Sequence, residues 1–117
     1  MRAGAIYRDG RCVVRKVWRA ASPWTRLRGL LGRKPLEPAA AEGLLLEPCS
    51  SVHTFWMRYP LDLVFLDSDN RVLNICRSVP PWSARASPGA RKTLELAAGS
   101  VEAFQPCIGE ELVWRMH

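Results

Sequence analysis

The chain has 117 residues, 48% of them apolar, with 17 basic and 11 acidic side chains and a net charge of +6. That length predicts one domain spanning residues 1–117, able to bury roughly two-thirds of its unfolded surface without a disulfide or a metal. The apolar content excludes a disordered chain, and no apolar run approaches the roughly 20 residues of a membrane-spanning helix.

The first predicted element is a strand over residues 11–18, RCVVRKVW, from its β-branched residues and Trp18. Its many charges predict an edge position or one face in water. ASPWTRLRGLLGRKP then predicts an N-terminal helix. Ser22 is a good N-cap, and Pro23 occupies the first helical position, where a missing N–H is harmless. Trp24, Leu27, Leu30 and Leu31 make one apolar stripe, and Gly32 and Pro35 stop it. Gly29 inside the helix costs about 1 kcal/mol relative to Ala and permits close approach of another segment.

LEPAAAE reads as a loop, and residues 43–48, GLLLEP, as a short buried strand. Residues 52–58 and 61–67 read as two more extended pieces. In the first, Val52, Thr54 and Trp56 alternate with His53, Phe55 and Met57, so neither face is purely polar. In the second, Leu63–Leu66 is a continuous apolar run, expected of a central strand. A two-residue hairpin at Tyr59-Pro60 would need φ > 0 where Pro or a bulky aromatic stands, so the chain must bend, bulge or cross over there. DSDN supplies a turn, and residues 63–66 and 72–79 are predicted to pair as a hairpin.

Residues 80–91, with three prolines and a glycine, read as a long surface loop rather than a strand. In KTLELAAG, Leu94, Leu96 and Ala98 alternate with Thr93, Glu95 and Ala97, predicting a half-buried strand ended by Gly99. Ser100 can cap a short C-terminal helix through Phe104, and ELVWRM closes the chain as a strand with Leu112, Trp114 and Met116 on one side. The expected fold is mainly β (α+β): a compact barrel or sandwich of about six or seven short strands, with the N-terminal helix and the short C-terminal one. The absence of strand–helix alternation speaks against a parallel α/β sheet.

The N-terminus carries no apolar stretch ahead of its charges, which predicts a cytoplasmic protein. Cys12, Cys49, Cys76 and Cys107 are far apart and lack C-x-x-C spacing, so neither disulfides nor a zinc site is expected. Cys12, Cys76 and Cys107 are expected to be small buried hydrophobes.

TRLRGLLGR, GLLL, CSSVHTFWMRYPLDLVFLD, PPW, TLELAAG and IGEEL together resemble the family known as domain of unknown function 192, across about Thr25 to Val113. The resemblance implies a small, mainly β domain of bacteria and archaea, and no reaction. Where the family often has Gly-Asp near the end, this chain has Gly109-Glu110, and Trp56 stands where related sequences often have Gly.

Several chemistries can be written on these residues. Cys49 and His53 suggest a nucleophile and its base, but four residues along an extended strand is about 13 Å, beyond hydrogen-bond reach. His53, Asp62 and Glu95 are a possible ligand set, though no local motif unites them; no metal and no cofactor is expected. Arg58 and Asp62 straddle Pro60 and are expected to brace the bend as an ion pair. Glu95, held among leucines, must face water or meet an arginine such as Arg28 or Arg58. The favoured reading is a module that binds a small ligand or a protein. Its rim is formed by His53, Trp56, Arg58, Asp62, Trp82 and Glu95, with the 80–91 loop alongside. Trp82 is the apolar anchor and Arg58 the contact to a carboxylate or phosphate. The alternatives are a small hydrolase-like enzyme using acids near Asp62 and Glu95, and a weak nucleic-acid or polyanion binder.

Overall fold

The computed structural model describes residues 2–20, 36–55 and 57–117. The N-terminal helix expected from Ser22 to Gly32 lies outside the described residues, as does Trp56.

The described elements run β1 (Arg2–Arg8), β2 (Arg11–Ala20), β3 (Glu42–Leu46), β4 (Ser51–His53), β5 (Leu61–Leu66), β6 (Val72–Val79), β7 (Ala84–Ala86), β8 (Lys92–Ala97), α1 (Ser100–Phe104) and β9 (Val113–Met116). The expectation of a mainly β fold holds; the barrel does not. Seven strands form one sheet in the order β6-β5-β8-β3-β2-β1-β9, and β4 and β7 form a separate two-stranded sheet. The edges β6 and β9 share no ladder. A single bridge, Arg71–Glu111, and hydrogen bonds such as Val72 N–H to the Glu110 carbonyl (2.9 Å) tie the segment before β9 to the start of β6. All pairings in the large sheet are antiparallel except β2–β3.

The strand count exceeds the sequence expectation for identifiable reasons. β1 carries two arginines and three small residues and gives no apolar alternation, yet it pairs with both β2 and β9. β2 is therefore interior rather than an edge, although Arg11, Arg15, Lys16 and Arg19 do face water. β7 is three exposed residues inside the proline-rich stretch expected to be loop; it exists because β4 supplies its partner. The extended piece expected over 52–58 ends at His53, and Met57 N–H folds back onto the Thr54 carbonyl in a turn. The predicted hairpin is present as β5–β6.

β5 shows how the core is divided. All six of its residues are buried. Leu61, Leu63 and Phe65 join Leu44, Leu46, Val52, Met57 and Val79 on one side. Val64 and Leu66 join Ile6, Val17, Leu45, Leu94, Leu96, Val101 and Phe104 on the other. A strand covered on both faces reads as a continuous apolar run, which is why alternation is missing from its sequence. At about 25 cal/mol per Å², each such leucine or phenylalanine contributes roughly 1.5–3 kcal/mol relative to exposure.

The short helix forms where expected, but Ser100 does not cap it. Gly99 stands at the N-cap with φ +92°, and no cap side chain bonds the first turn. The orphan donors are met from another strand. Asp62 Oδ2 accepts from Gly99 N–H (3.0 Å) and Val101 N–H (2.9 Å), while Oδ1 accepts from Ser78 N–H (2.8 Å). Ser78 itself has φ +48°, beside a register shift in the β5–β6 pairing. One buried carboxylate thus pins a strained point of β6 and the start of α1 onto β5.

Candidate functional site

Asp62 and Glu95 are each about 1% exposed. They lie on adjacent strands, but the register pairs Leu63 with Glu95 and Asp62 with Leu96. Directly paired residues share a face and neighbours along a strand alternate. Glu95 therefore projects with Leu63 and Leu44, and Asp62 projects through the opposite face with Leu96. The sheet backbone separates the two acids, and they share no cleft. The proposed His53–Asp62–Glu95 ligand set is not assembled, and the described residues contain no group of three or more His, Cys, Asp or Glu placed to hold a metal.

The Arg58–Asp62 ion pair is likewise not formed. Asp62 spends both oxygens on three backbone N–H groups, and Arg58 is exposed. Nor do Cys49 and His53 form a dyad. The Cys49 thiol donates to the Ser51 carbonyl at 3.2 Å, while the His53 ring stacks on Phe55. Cys12 and Cys107 are exposed, contrary to the expectation of buried thiols; Cys76 is half-buried.

The structure brings together a different set. His53 stacks on Phe55 with ring centroids 5.1 Å apart, and Phe55 stacks on Trp82 at 5.7 Å. Phe55 is 44% exposed and Trp82 58%, among the most exposed large apolar side chains of the described residues. His53 and Ala84 are paired in the two-stranded sheet and both face outward, as does Ala86. Trp82 holds φ +62°, a conformation that costs a bulky residue of order 1–3 kcal/mol and persists only where neighbours enforce it. Here the enforcer is Thr54, wholly buried beneath the row. Its hydroxyl donates to the Pro80 carbonyl (2.6 Å) and accepts from Ser83 N–H (3.0 Å); its carbonyl accepts from Trp82 N–H (3.1 Å); and its N–H donates to the Ser83 carbonyl (2.8 Å). Thr54 was legible only as a residue facing the same way as Val52. Phe55 carried no signal, because alternation along an extended strand would have placed it like Met57, which is buried.

The two stretches that carry the small sheet are basic. Residues 48–60 and 77–91, which build and flank the small sheet, contain Arg58, Arg77, Arg85 and Arg91 and no Asp or Glu. All four arginines are exposed. The Arg85 guanidinium donates to the Ala84 carbonyl at 2.7 Å, and the register, which pairs Arg85 with Val52, projects it from the face opposite His53 and Ala84.

An open, mixed sheet whose central strands are buried on both faces, with a two-stranded flap that presents aromatic rings, defines a small mainly β protein in which Asp62 and Glu95 lie on opposite faces. The family model described as Uncharacterized ACR, DUF192, matches residues 5–114, and the chain belongs to that family. Its relatives include a UPF0127 protein of Thermococcus sibiricus, 30% identical over 67 residues (57% of this chain, 44% of the relative). A UPF0127 protein of Pyrococcus horikoshii is 32% identical over 66 residues (56% of each chain). The match thus spans about half the length of these archaeal relatives. Among solved structures, a protein of unknown function from Novosphingobium aromaticivorans superimposes with a TM-score of 0.77 at 21% identity, over 96% of this chain and 84% of that one. A Sinorhizobium meliloti protein, provisionally described as a transcription regulator, superimposes with a TM-score of 0.77 at 26% identity, over 97% of this chain and 92% of its own. No catalytic role is established for the family. Among the described residues no helix is long and apolar enough to cross a membrane.

Proposed function

We propose that this protein is a binding module, one domain acting in the cytoplasm, whose contact surface is the face carrying His53, Phe55 and Trp82. The observation that carries the reading is the exposed row of rings mounted on a strained turn and locked by a buried threonine. Strain retained at a surface aromatic is not needed for packing, and exposed aromatics with small flat neighbours are the composition of contact surfaces. Arg58 and Trp56 belong to the proposed rim by their position in the same segment. Asp62 and Glu95 support the sheet rather than the contact. The competing hydrolase reading needs acids converging around one reacting atom, and the opposite faces of Asp62 and Glu95 favour binding instead.

The test is a fragment screen by NMR on isotope-labelled protein. Hits are expected to shift the amides of His53, Phe55 and Ala84 and the indole of Trp82. Hits confined to the Glu95 face, or an absence of hits on the row, would overturn the reading.

A further inference from the structure

We infer that the partner of this face is an extended peptide segment of another protein, added as a third strand along β7. The inference rests on the binding reading above and adds the chemical class of the partner. The ladder between β4 and β7 carries it. Thr54 N–H donates to the Ser83 carbonyl (2.8 Å) and Ser87 N–H to the Ser50 carbonyl (2.9 Å). These bonds bracket a register that pairs Ser51 with Ala86, Val52 with Arg85 and His53 with Ala84. In an antiparallel pair, every second residue turns its N–H and C=O toward the partner strand. Ser83, Arg85 and Ser87 therefore turn theirs toward β4, and Ala84 and Ala86 turn theirs outward. Ala84, Arg85 and Ala86 are all exposed, and among the described residues no third strand lies beside them. An open row of main-chain donors and acceptors is a template for another strand.

The Arg85 contact says what that strand carries. The Ala84 carbonyl is one of the outward acceptors, and the group on it is the guanidinium of Arg85 at 2.7 Å. A charged side chain folded over its own strand blunts the edge. A docking strand displaces it, and the residue set opposite Arg85 shares its face, where a carboxylate receives the freed guanidinium. The residues opposite Ala84 and Ala86 lie instead on the face of His53, over two methyl groups that leave room for branched apolar side chains. The segment so specified reads apolar, acidic, apolar, without proline. A second copy of this chain does not fit. Antiparallel pairing of β7 with itself sets Ala84 against Ala86 and Arg85 directly against Arg85, a like-charge pair that disfavours the ladder.

The experiment is an NMR titration of the full chain with the blocked peptide acetyl-Ser-Thr-Val-Glu-Val-Thr-Ser-amide, read by shifts and by amide hydrogen exchange. Binding is expected to slow exchange at Ala84 and Ala86 and to leave Arg85, already bonded to β4, unchanged. N-methylation of both peptide valines removes the donors that face β7 and is expected to abolish binding. N-methylation of the glutamate, whose N–H points away, is expected to leave it intact. Replacing the glutamate by glutamine should weaken binding about 2- to 5-fold, and that difference should vanish in Arg85→Ala. Ala86→Pro deletes an outward N–H at an edge position, so binding should be lost while the melting temperature stays near wild type. Should that variant fail to fold, the two methylated peptides decide the matter on the unaltered protein. Three results would overturn the inference: no binding of the unmodified peptide, binding indifferent to methylation of the valines, or protection at Ala84 and Ala86 that rises with protein concentration alone, which assigns the edge to a second copy. Fragments that map to the row of rings while the peptide fails to bind would sink this inference and leave the binding reading standing.

Discussion

Replacing Asp62 by Asn changes no volume and removes one charge, so it isolates what the carboxylate does. An asparagine oxygen placed where Oδ2 stands keeps the bonds from Gly99 and Val101 but turns two charge-assisted contacts into neutral ones, a loss of about 1 kcal/mol each. Its NH₂ group then confronts Ser78 N–H, leaving a buried donor without an acceptor at about 1–3 kcal/mol. The sum is about 3–5 kcal/mol. At roughly 0.05–0.15 kcal/mol per residue, a chain of 117 residues holds about 6–18 kcal/mol in total, so the loss is a large fraction. Urea melts at pH 7 should show the midpoint fall with the m-value unchanged, and hydrogen exchange should show lost protection at Ser78, Gly99 and Val101. A loss below about 1 kcal/mol, or a gain in stability, would refute the reasoning. Gains are the usual mark of an acid kept for chemistry rather than for structure.

Four further outcomes can be checked. Thr54→Val removes the hydroxyl that serves the Pro80 carbonyl and Ser83 N–H, and should cost about 1–3 kcal/mol and shift the Trp82 indole resonance; lost stability with an unmoved indole would disconnect Thr54 from the row. Gly4→Ala would set a Cβ 2.3 Å from the Arg115 carbonyl across the β1–β9 pairing, whereas Gly43→Ala meets chiefly the flexible end of Leu96 at 2.8 Å. Thermal melts should therefore rank the first as worse, by about 1–3 kcal/mol, and the reverse order would contradict the packing. Burial raises the Glu110 pKa, but hydrogen bonds from Arg8 and Cys107 N–H and the charge of Arg8 outweigh it and hold the group below its ordinary value. Because the folded value is the lower one, this stabilisation is present above the ordinary carboxylate pKa and is lost as pH falls through the depressed one. Glu110→Gln should thus cost about 1 kcal/mol at pH 7 in urea melts, with the gap to wild type closing in acid; a gap that persists would disprove the linkage. A thiol reagent should label Cys12 and Cys107 before Cys49 and Cys76, which mass spectrometry of peptides can rank.

The parts of the fold visible in the sequence are those fixed by local pattern. The Leu63–Leu66 run, the DSDN turn and the strand after it gave the β5–β6 hairpin, and KTLELAAG gave β8, although Thr93 and Glu95 are as buried as Leu94 and Leu96, so the strand is covered on both faces rather than half-buried. Pro60 correctly forbade a tight hairpin between β4 and β5, whose strands lie in different sheets. The parts hidden are those fixed by distant partners. Arg2–Arg8 is a strand because β2 and β9 flank it, and Ala84–Ala86 because β4 is opposite. Trp82 was legible as an exposed anchor from its proline-rich setting, but its alignment with Phe55 and His53 depends on the backbone at Thr54. The acid-free character of residues 48–60 and 77–91 was in the sequence; the pairing of Ser51–His53 with Ala84–Ala86 was not.

The pleat of the sheet bears on the two-acid reading more firmly than any single side chain. In the β5–β8 register, a carboxylate at position 63 would stand directly opposite Glu95, roughly 5 Å away between Cβ atoms, close enough to share a proton or a metal. The acid stands one residue earlier, and with a period of two that single step carries it through the sheet to the other face. There it meets backbone N–H groups of a bulge and a helix start, which consume its acceptor capacity. The directly paired neighbours of Glu95 on its own face are Leu44 and Leu63. Chemistry that needs two acids is therefore disfavoured by register. The aromatic groups that do converge, His53, Phe55 and Trp82, lie on and beside the two-stranded flap.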